Sequence, residues 1–196
     1  MKVTYISHSG FLIETENCLF LFDYYEGKIP PLSQEKPLFI FVSHWHSDHF
    51  NPEIFSIRHE KVHYILSHDT RKHLPAGISP ENLCFMKPEE KLDFTLEDGN
   101  EHFTVETLKS TDCGVAFLIY YRRKYLYHAG DLNWWVWQGE TKQYNSNMTA
   151  NFLHYTKPLE NLDIWAAFLP LDPRQEEWYS KGFLHILSLI HISEPT

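Results

Sequence analysis

Cysteine is scarce in this chain of 196 residues, and the three present, Cys18, Cys84 and Cys113, form no Cys-x-x-Cys spacing. An odd set of scattered thiols excludes a disulfide framework and fits a reducing compartment. Basic residues are also short: 17 Lys and Arg stand against 26 Asp and Glu, for a formal net charge of −9. So acidic a balance argues against a general nucleic-acid binder, and Arg122-Arg123-Lys124 reads as an exposed hairpin turn. No apolar run approaches the length of a membrane span. The start of the chain enters a strand at once, Lys2-Val3-Thr4-Tyr5-Ile6, with no charged region leading into an apolar signal core. Internal repeats and low-complexity linkers are missing too. These absences predict one cytoplasmic domain with neither a membrane nor a nucleic acid as partner.

What the chain does have is Ser43-His44-Trp45-His46-Ser47-Asp48-His49-Phe50, directly after the apolar run Leu38-Phe39-Ile40-Phe41-Val42. The run reads as a buried strand, and Asn51-Pro52 reads as a cap and first position of a helix. In extended backbone, His44 and His46 face the same side. Asp48 and His49 follow once the chain has begun to turn, so they approach the same spot from another direction. Imidazole and carboxylate donors in this density suit zinc or a similar first-row divalent ion.

Lys2–Ser7, Phe11–Thr15 and Cys18–Asp23 read as short strands, and Val62–Leu66 as another. Asp93–Leu96 and His102–Leu108 read as a hairpin across Glu97-Asp98-Gly99-Asn100, and Val115–Tyr121 pairs with Tyr125–His128. Leu74 to Glu81, with Pro-Ala-Gly and Ser-Pro, reads as a turn region. Helices are expected over Pro52–Glu60, around Gln143–Tyr155 and after Pro173. Strands in both halves with helices between them suit an α+β fold of two packed sheets with helices outside. Asp23, at a strand end, either orients a metal ligand or is an ordinary strand-end aspartate. His59, His63, His68 and His73 share no spacing with a ligand partner and read as surface or structural histidines.

The His-x-His-x-Asp-His loop resembles the metal loop of the metallo-β-lactamase-fold hydrolases, and Tyr127-His128-Ala129-Gly130-Asp131 is similar to their second signature, a strand ending in Gly-Asp. The resemblance runs from Met1 to about Ile186 and implies a four-layer αββα sandwich. It implies two Zn2+ ions, with Mn2+ or Fe2+ as other occupants: His44 and His46 on the first, Asp48 and His49 on the second, and Asp131 bridging them. Most relatives carry a further histidine where this chain reads Lys109-Ser110-Thr111-Asp112-Cys113-Gly114. Asp112 is the hard donor available there and Cys113 the soft one; Asp112 is favoured, a structural turn aspartate being the alternative. His8, near the metals in similar hydrolases, and His128 are expected to support the ligands from behind. Trp134, Trp135 and Trp137 follow Asp131 and either wall the mouth of a substrate pocket or pack in the core, with Trp134 and Trp135 favoured for the pocket.

The implied activity is metal-dependent hydrolysis of a small ester, lactone or phosphodiester, with Asp48 orienting the water and shuttling its proton. An iron-binding oxidoreductase and a non-catalytic metal-binding or interaction protein are the alternatives. Residues 1–186 are expected to form the domain. Leu187–Thr196 matches a translated sequencing adapter and is expected to be a foreign tail making few contacts, with a terminal metal histidine lost and His191 no ligand.

Overall fold

The computed structural model describes residues 1–78, 81–96, 99 and 101–192. Ser79-Pro80 of the expected turn region, Glu97, Asp98 and Asn100 of the expected hairpin turn, and residues 193–196 of the expected tail lie outside the described residues. The chain divides into two compact units, Met1–Lys87 and Pro88–Thr196.

In the first unit β1 (Lys2–Ser7), β2 (Gly10–Glu14) and β3 (Leu19–Phe22) form an antiparallel meander. Strands β4 (Leu38–Val42), β5 (Val62–Ser67) and β6 (Leu83–Met86) then add in parallel, giving the order β1-β2-β3-β4-β5-β6. Every residue of β3 and β4 is buried, which is why both read as unbroken apolar runs rather than alternating ones. Leu19, Leu21, Leu38, Ile40, Val42 and Leu66 pack with Phe50 and Ile54 in one core cluster. The intervening positions form a phenylalanine layer, in which Phe22 stacks on Phe41 at 4.8 Å. Each such side chain contributes roughly 1.5–3 kcal/mol by burial. Because β3, β4 and β5 run parallel, their C-terminal ends share one edge of the sheet, and there the chain places Asp23, Ser43 and His68.

The second unit holds β7 (Lys91–Thr95), β8 (His102–Lys109), β9 (Val115–Tyr121) and β10 (Lys124–His128) as an antiparallel meander. Helix α1 (Lys142–Thr156) crosses over to the parallel strand β11 (Asp163–Phe168). Thr141 starts α1 by accepting the Tyr144 N–H at 3.1 Å, and Met148, Phe152 and Thr156, four residues apart, form its buried stripe. Helix α2 (Lys181–Leu189) and β12 (His191–Ile192) complete the unit, with sheet order β12-β11-β10-β9-β8-β7.

Three expectations change. The helix expected over Pro52–Glu60 is a short 3₁₀ turn, Pro52–Ser56: Asn51 caps it as expected, but Ile57 is already extended and only Ile54 anchors it. The helix expected after Pro173 is present as α2, Lys181–Leu189, but it begins later, behind a 3₁₀ segment, Pro173–Trp178, broken where Glu176 takes a left-handed φ of 52°. The expectation of few contacts after Ile186 is not met over 187–192. Leu187 and Leu189 pack on the core of this unit with Ile186 and Ile190, and His191–Ile192 pairs with Asp163–Ile164. The apolar spacing of Ile186 and Ile190 continues the helical stripe regardless of how the segment reads as a motif.

Helix α2 fits only because residue 182 lacks a side chain. A Cβ at Gly182 would lie 2.1 Å from Asn133 Oδ1 and 3.2 Å from the Trp134 backbone nitrogen. Asn133 is buried and held by Gln175, so it has little room to retreat. Gly182→Ala is expected to destabilise the chain by about 1–3 kcal/mol, read as a lower urea midpoint. An unchanged midpoint would show that the Asn133 loop gives way freely.

Candidate metal centre

At the C-terminal edge of the first sheet a fully buried carboxylate organises two imidazoles. Asp23 Oδ1 accepts the Ser43 N–H at 2.7 Å, while Oδ2 accepts the Ser43 hydroxyl at 2.6 Å and faces His49 Nδ1 at 2.8 Å. A carboxylate only accepts, so His49 donates from Nδ1 and its lone pair lies on Nε2. The Ser43 hydroxyl proton is committed to Asp23. Its oxygen, 3.0 Å from His44 Nδ1, is therefore left to accept from that ring as well. His44 and His49 thus share one tautomer, each offering Nε2 as the donor nitrogen. This is the arrangement that orients metal-ligating histidines elsewhere. Both rings are buried, with centroids 4.1 Å apart.

The remaining loop donors gather around this pair. The His46 carbonyl accepts both the His49 and Phe50 N–H groups at 2.9 Å, the turn that reverses the chain between its second and third histidines. His44 and His46 offer ring nitrogens within 4.8 Å of one another, and so, as a separate group, do His8, Asp48 and His49 with a nitrogen or carboxylate oxygen each. His8 Nε2 lies 3.5 Å from Asp48 Oδ2. Two local strains put these residues in place: His8 and Asp23 hold left-handed φ values of 49° and 38°. Gly10 allows the tight turn beside them, since a Cβ there would meet the Ser7 and Asp23 carbonyls at 2.9 and 3.3 Å. Trp45, His46, Ser47, Asp48, Phe50, Pro52 and His73 line a hollow of about 530 Å³, in which Trp45 stacks on His73 at 4.5 Å. Among the other histidines, His63 stacks on Phe39 and His59 reaches the Ser33 carbonyl.

In the second unit, Asp112 and Asp131 offer carboxylate oxygens within 4.8 Å of one another. Asp112 follows β8 and Asp131 follows β10, and Thr111 ties the two loops together. Its hydroxyl donates to the Asn133 carbonyl at 2.7 Å and accepts the Asn133 N–H at 3.1 Å. Gly130 takes a left-handed φ of 51°, and its N–H donates to His128 Nδ1 at 3.2 Å. His128 is therefore the opposite tautomer to His44 and His49, protonated on Nε2, and serves to fix the Gly130 turn. The Trp135 indole N–H donates to the Asp131 carbonyl at 2.8 Å. Trp134 instead donates to Thr149 and stacks on Phe152, so it is packed into its own unit.

Sequence reasoning missed the residues that hold these loops. Gln175 is buried, accepts from Asn133 and donates to the Trp134 and Val136 carbonyls, clamping the segment after Asp131. No local pattern marks it, because its partners lie about forty residues away. Ser43 carried a signal: a hydroxyl between a strand-end apolar residue and the first histidine.

In the first unit, buried imidazoles with engaged Nδ1 atoms are the donor type that suits a divalent cation of the borderline class, and in the second the paired carboxylates are hard donors for such an ion. Cys113 belongs to neither donor group among the described residues.

No protein-family model matches the sequence. The chain is 29% identical over 146 residues to a UPF0173 metal-dependent hydrolase of Opitutus terrae; the match covers 67% of this chain and 63% of that protein, less than two thirds of its length. A candidate metal-dependent hydrolase from Parabacteroides distasonis shares the fold with a TM-score of 0.60 and 16% identity, over 96% of this chain and 77% of that one. The metallo hydrolase Igni18 from Ignicoccus hospitalis does so with a TM-score of 0.53 and 16% identity, over 98% and 94%. The CmlA β-hydroxylase also shares it, with a TM-score of 0.57 and 13% identity, over 95% and 43%. Among the described residues, no helix is long and apolar enough to cross a membrane.

Replacing Asp23 by Ala removes the acceptor that sets both tautomers. Metal affinity is expected to fall about 10–100-fold, the usual cost of losing such a partner, in a zinc titration, with the far-ultraviolet circular dichroism retained. Unaltered affinity would show that the two rings find the same orientation without the carboxylate.

Proposed function

We propose that this chain, whose α+β fold is that of the metallo-β-lactamase-fold metal-dependent hydrolases, is itself a metal-dependent hydrolase acting on a small ester, lactone or phosphodiester. The observation that carries the reading is the Asp23–Ser43 network, which commits two buried histidines to the metal-binding tautomer. An acidic residue buried at a strand end and hydrogen-bonded to the loop that carries the histidines is costly to maintain for structure alone.

The ligand roles follow the resemblance: His44, His46 and Asp112 toward one Zn2+, Asp48 and His49 toward a second, Asp131 toward both. His8 joins the second group, given its position beside Asp48 and His49. When bound, the ions supply Lewis acidity and bring the pKa of water down to about 7. Asp48 is the residue for proton movement. It is the partly exposed carboxylate of the loop, and His8 stands 3.5 Å away, close enough to orient it. Asp23 acts only by position. Asp131, anchored through its carbonyl to Trp135 and through its neighbours to Thr111, is held ready to balance the charge of two cations.

The β-hydroxylase likeness concerns the fold alone, so a redox reading stays the second proposal and requires iron rather than zinc. Treatment with a chelator should abolish ester hydrolysis and added Zn2+ should restore it. Asp131→Ala should lower both bound metal and turnover. Hydrolysis that survives complete metal removal would rule the proposal out, and iron-dependent redox turnover without hydrolysis would favour the second reading.

A further inference from the structure

The segment after Asp131 carries more aromatic surface than its packing uses. Trp134 is consumed internally, by Thr149, by Phe152 and by Lys181, whose ammonium lies 4.7 Å from the ring centroid. Trp135 and Trp137 are different. Their rings are parallel within 5° at 5.9 Å, both are partly exposed, and the first is fixed to the Asp131 carbonyl. Trp137 is pinned to the start of α1 from both sides of its backbone: its N–H donates to Asn145 Oδ1 at 3.1 Å and its carbonyl accepts from Asn145 Nδ2 at 2.9 Å. One residue earlier on that helix, Tyr144 is 37% exposed and hydrogen-bonded to the Trp137 side chain. Three aromatic rings thus form a fixed wall leading away from the carboxylate loops.

Acidic side chains stand beside the wall. Burial raises the Tyr144 pKa first, and the negative charges that add to it are Glu140 and then Asp112. Lys181 is spent over Trp134 and Trp178. A rigid aromatic surface beside Glu140 recognises flat, uncharged groups by burial and stacking and disfavours anions.

We infer that Trp135, Trp137 and Tyr144 form a subsite for the apolar, aryl-like part of a neutral ester or lactone, which sets the substrate class apart from phosphodiesters. This rests on the hydrolase reading for its reaction but not for its binding. The expected selectivity is for a phenyl ester over an ethyl ester of the same acid, and for either over an anionic aryl phosphodiester.

The test has two arms on the full chain loaded with zinc. In the first, kcat/KM is compared for phenyl acetate, ethyl acetate and bis(4-nitrophenyl) phosphate. Trp137→Ala and Tyr144→Ala should each cut the phenyl-over-ethyl preference by about tenfold, as the loss of one aromatic contact does, chiefly through KM. Tyr144→Phe, which keeps the ring, should preserve it. In the second arm, acetanilide, a neutral aryl amide, is titrated by calorimetry against phenyl phosphate. Acetanilide should bind, and more weakly to Trp137→Ala, while any binding of phenyl phosphate should be unchanged by Trp137→Ala. Ester hydrolysis with no aryl preference, equal losses on both esters, or preferential turnover of the phosphodiester would overturn the subsite. Acetanilide binding that depends on Trp137 in a chain that hydrolyses nothing would keep the subsite and remove the hydrolase reading.

Discussion

The account turns on one buried carboxylate. Asp23 takes both the N–H and the hydroxyl of Ser43 and the Nδ1 proton of His49, and in doing so decides, through Ser43, which nitrogen His44 has left to offer. Burying a charged group without such satisfaction costs several kcal/mol, so the network is required by the fold as well as used by the site. It also explains a strained backbone. Asp23 leaves β3 at a left-handed φ of 38°, a conformation an aspartate tolerates better than most residues and one that turns the carboxylate toward the start of the histidine loop.

The scaffolding of the second unit follows a different logic. Its carboxylates sit on loops that would be floppy by composition. They are held by hydrogen bonds from Thr111, Gln175 and Trp135, by the Gly130 N–H donating to His128, and by the close approach that Gly182 allows. The first unit fixes side chains through a charge; the second fixes backbone through neutral donors and acceptors. In both, a site on loops gains rigidity from strand ends and buried polar partners.

Much of this was legible in the sequence, and the reasons are specific. The β4 run Leu38–Val42 and the Asn51-Pro52 cap are local signals, and each element starts where it was expected. The α+β class was readable from strands in both halves. Strand β11 was not: Asp163–Phe168 contains Ala166 and Ala167, weak strand formers, and is stabilised by parallel pairing with β10 and β12. Strand β6, Leu83–Met86, is short and depends on β5 for its definition. At the centre, the histidine and aspartate positions stood out by spacing. The direction of support did not, because tautomers are set by contacts such as Asp23 to His49, twenty-six residues apart. The same holds for the tryptophans. Sequence could not separate Trp134, which is tied to Thr149 and Phe152, from Trp137, whose ring stacks on Trp135.

The central claim is that His44 and His49 present Nε2 to a divalent cation because Asp23 holds both rings from behind. Zinc K-edge absorption spectroscopy of the zinc-loaded chain addresses it directly. The account predicts nitrogen and oxygen scatterers at about 2.0–2.2 Å with the outer-shell signature of imidazole rings, diminished in Asp23→Ala. A sulfur shell near 2.3 Å, placing Cys113 or another thiol on the metal, or an oxygen-only shell without imidazole, would contradict it.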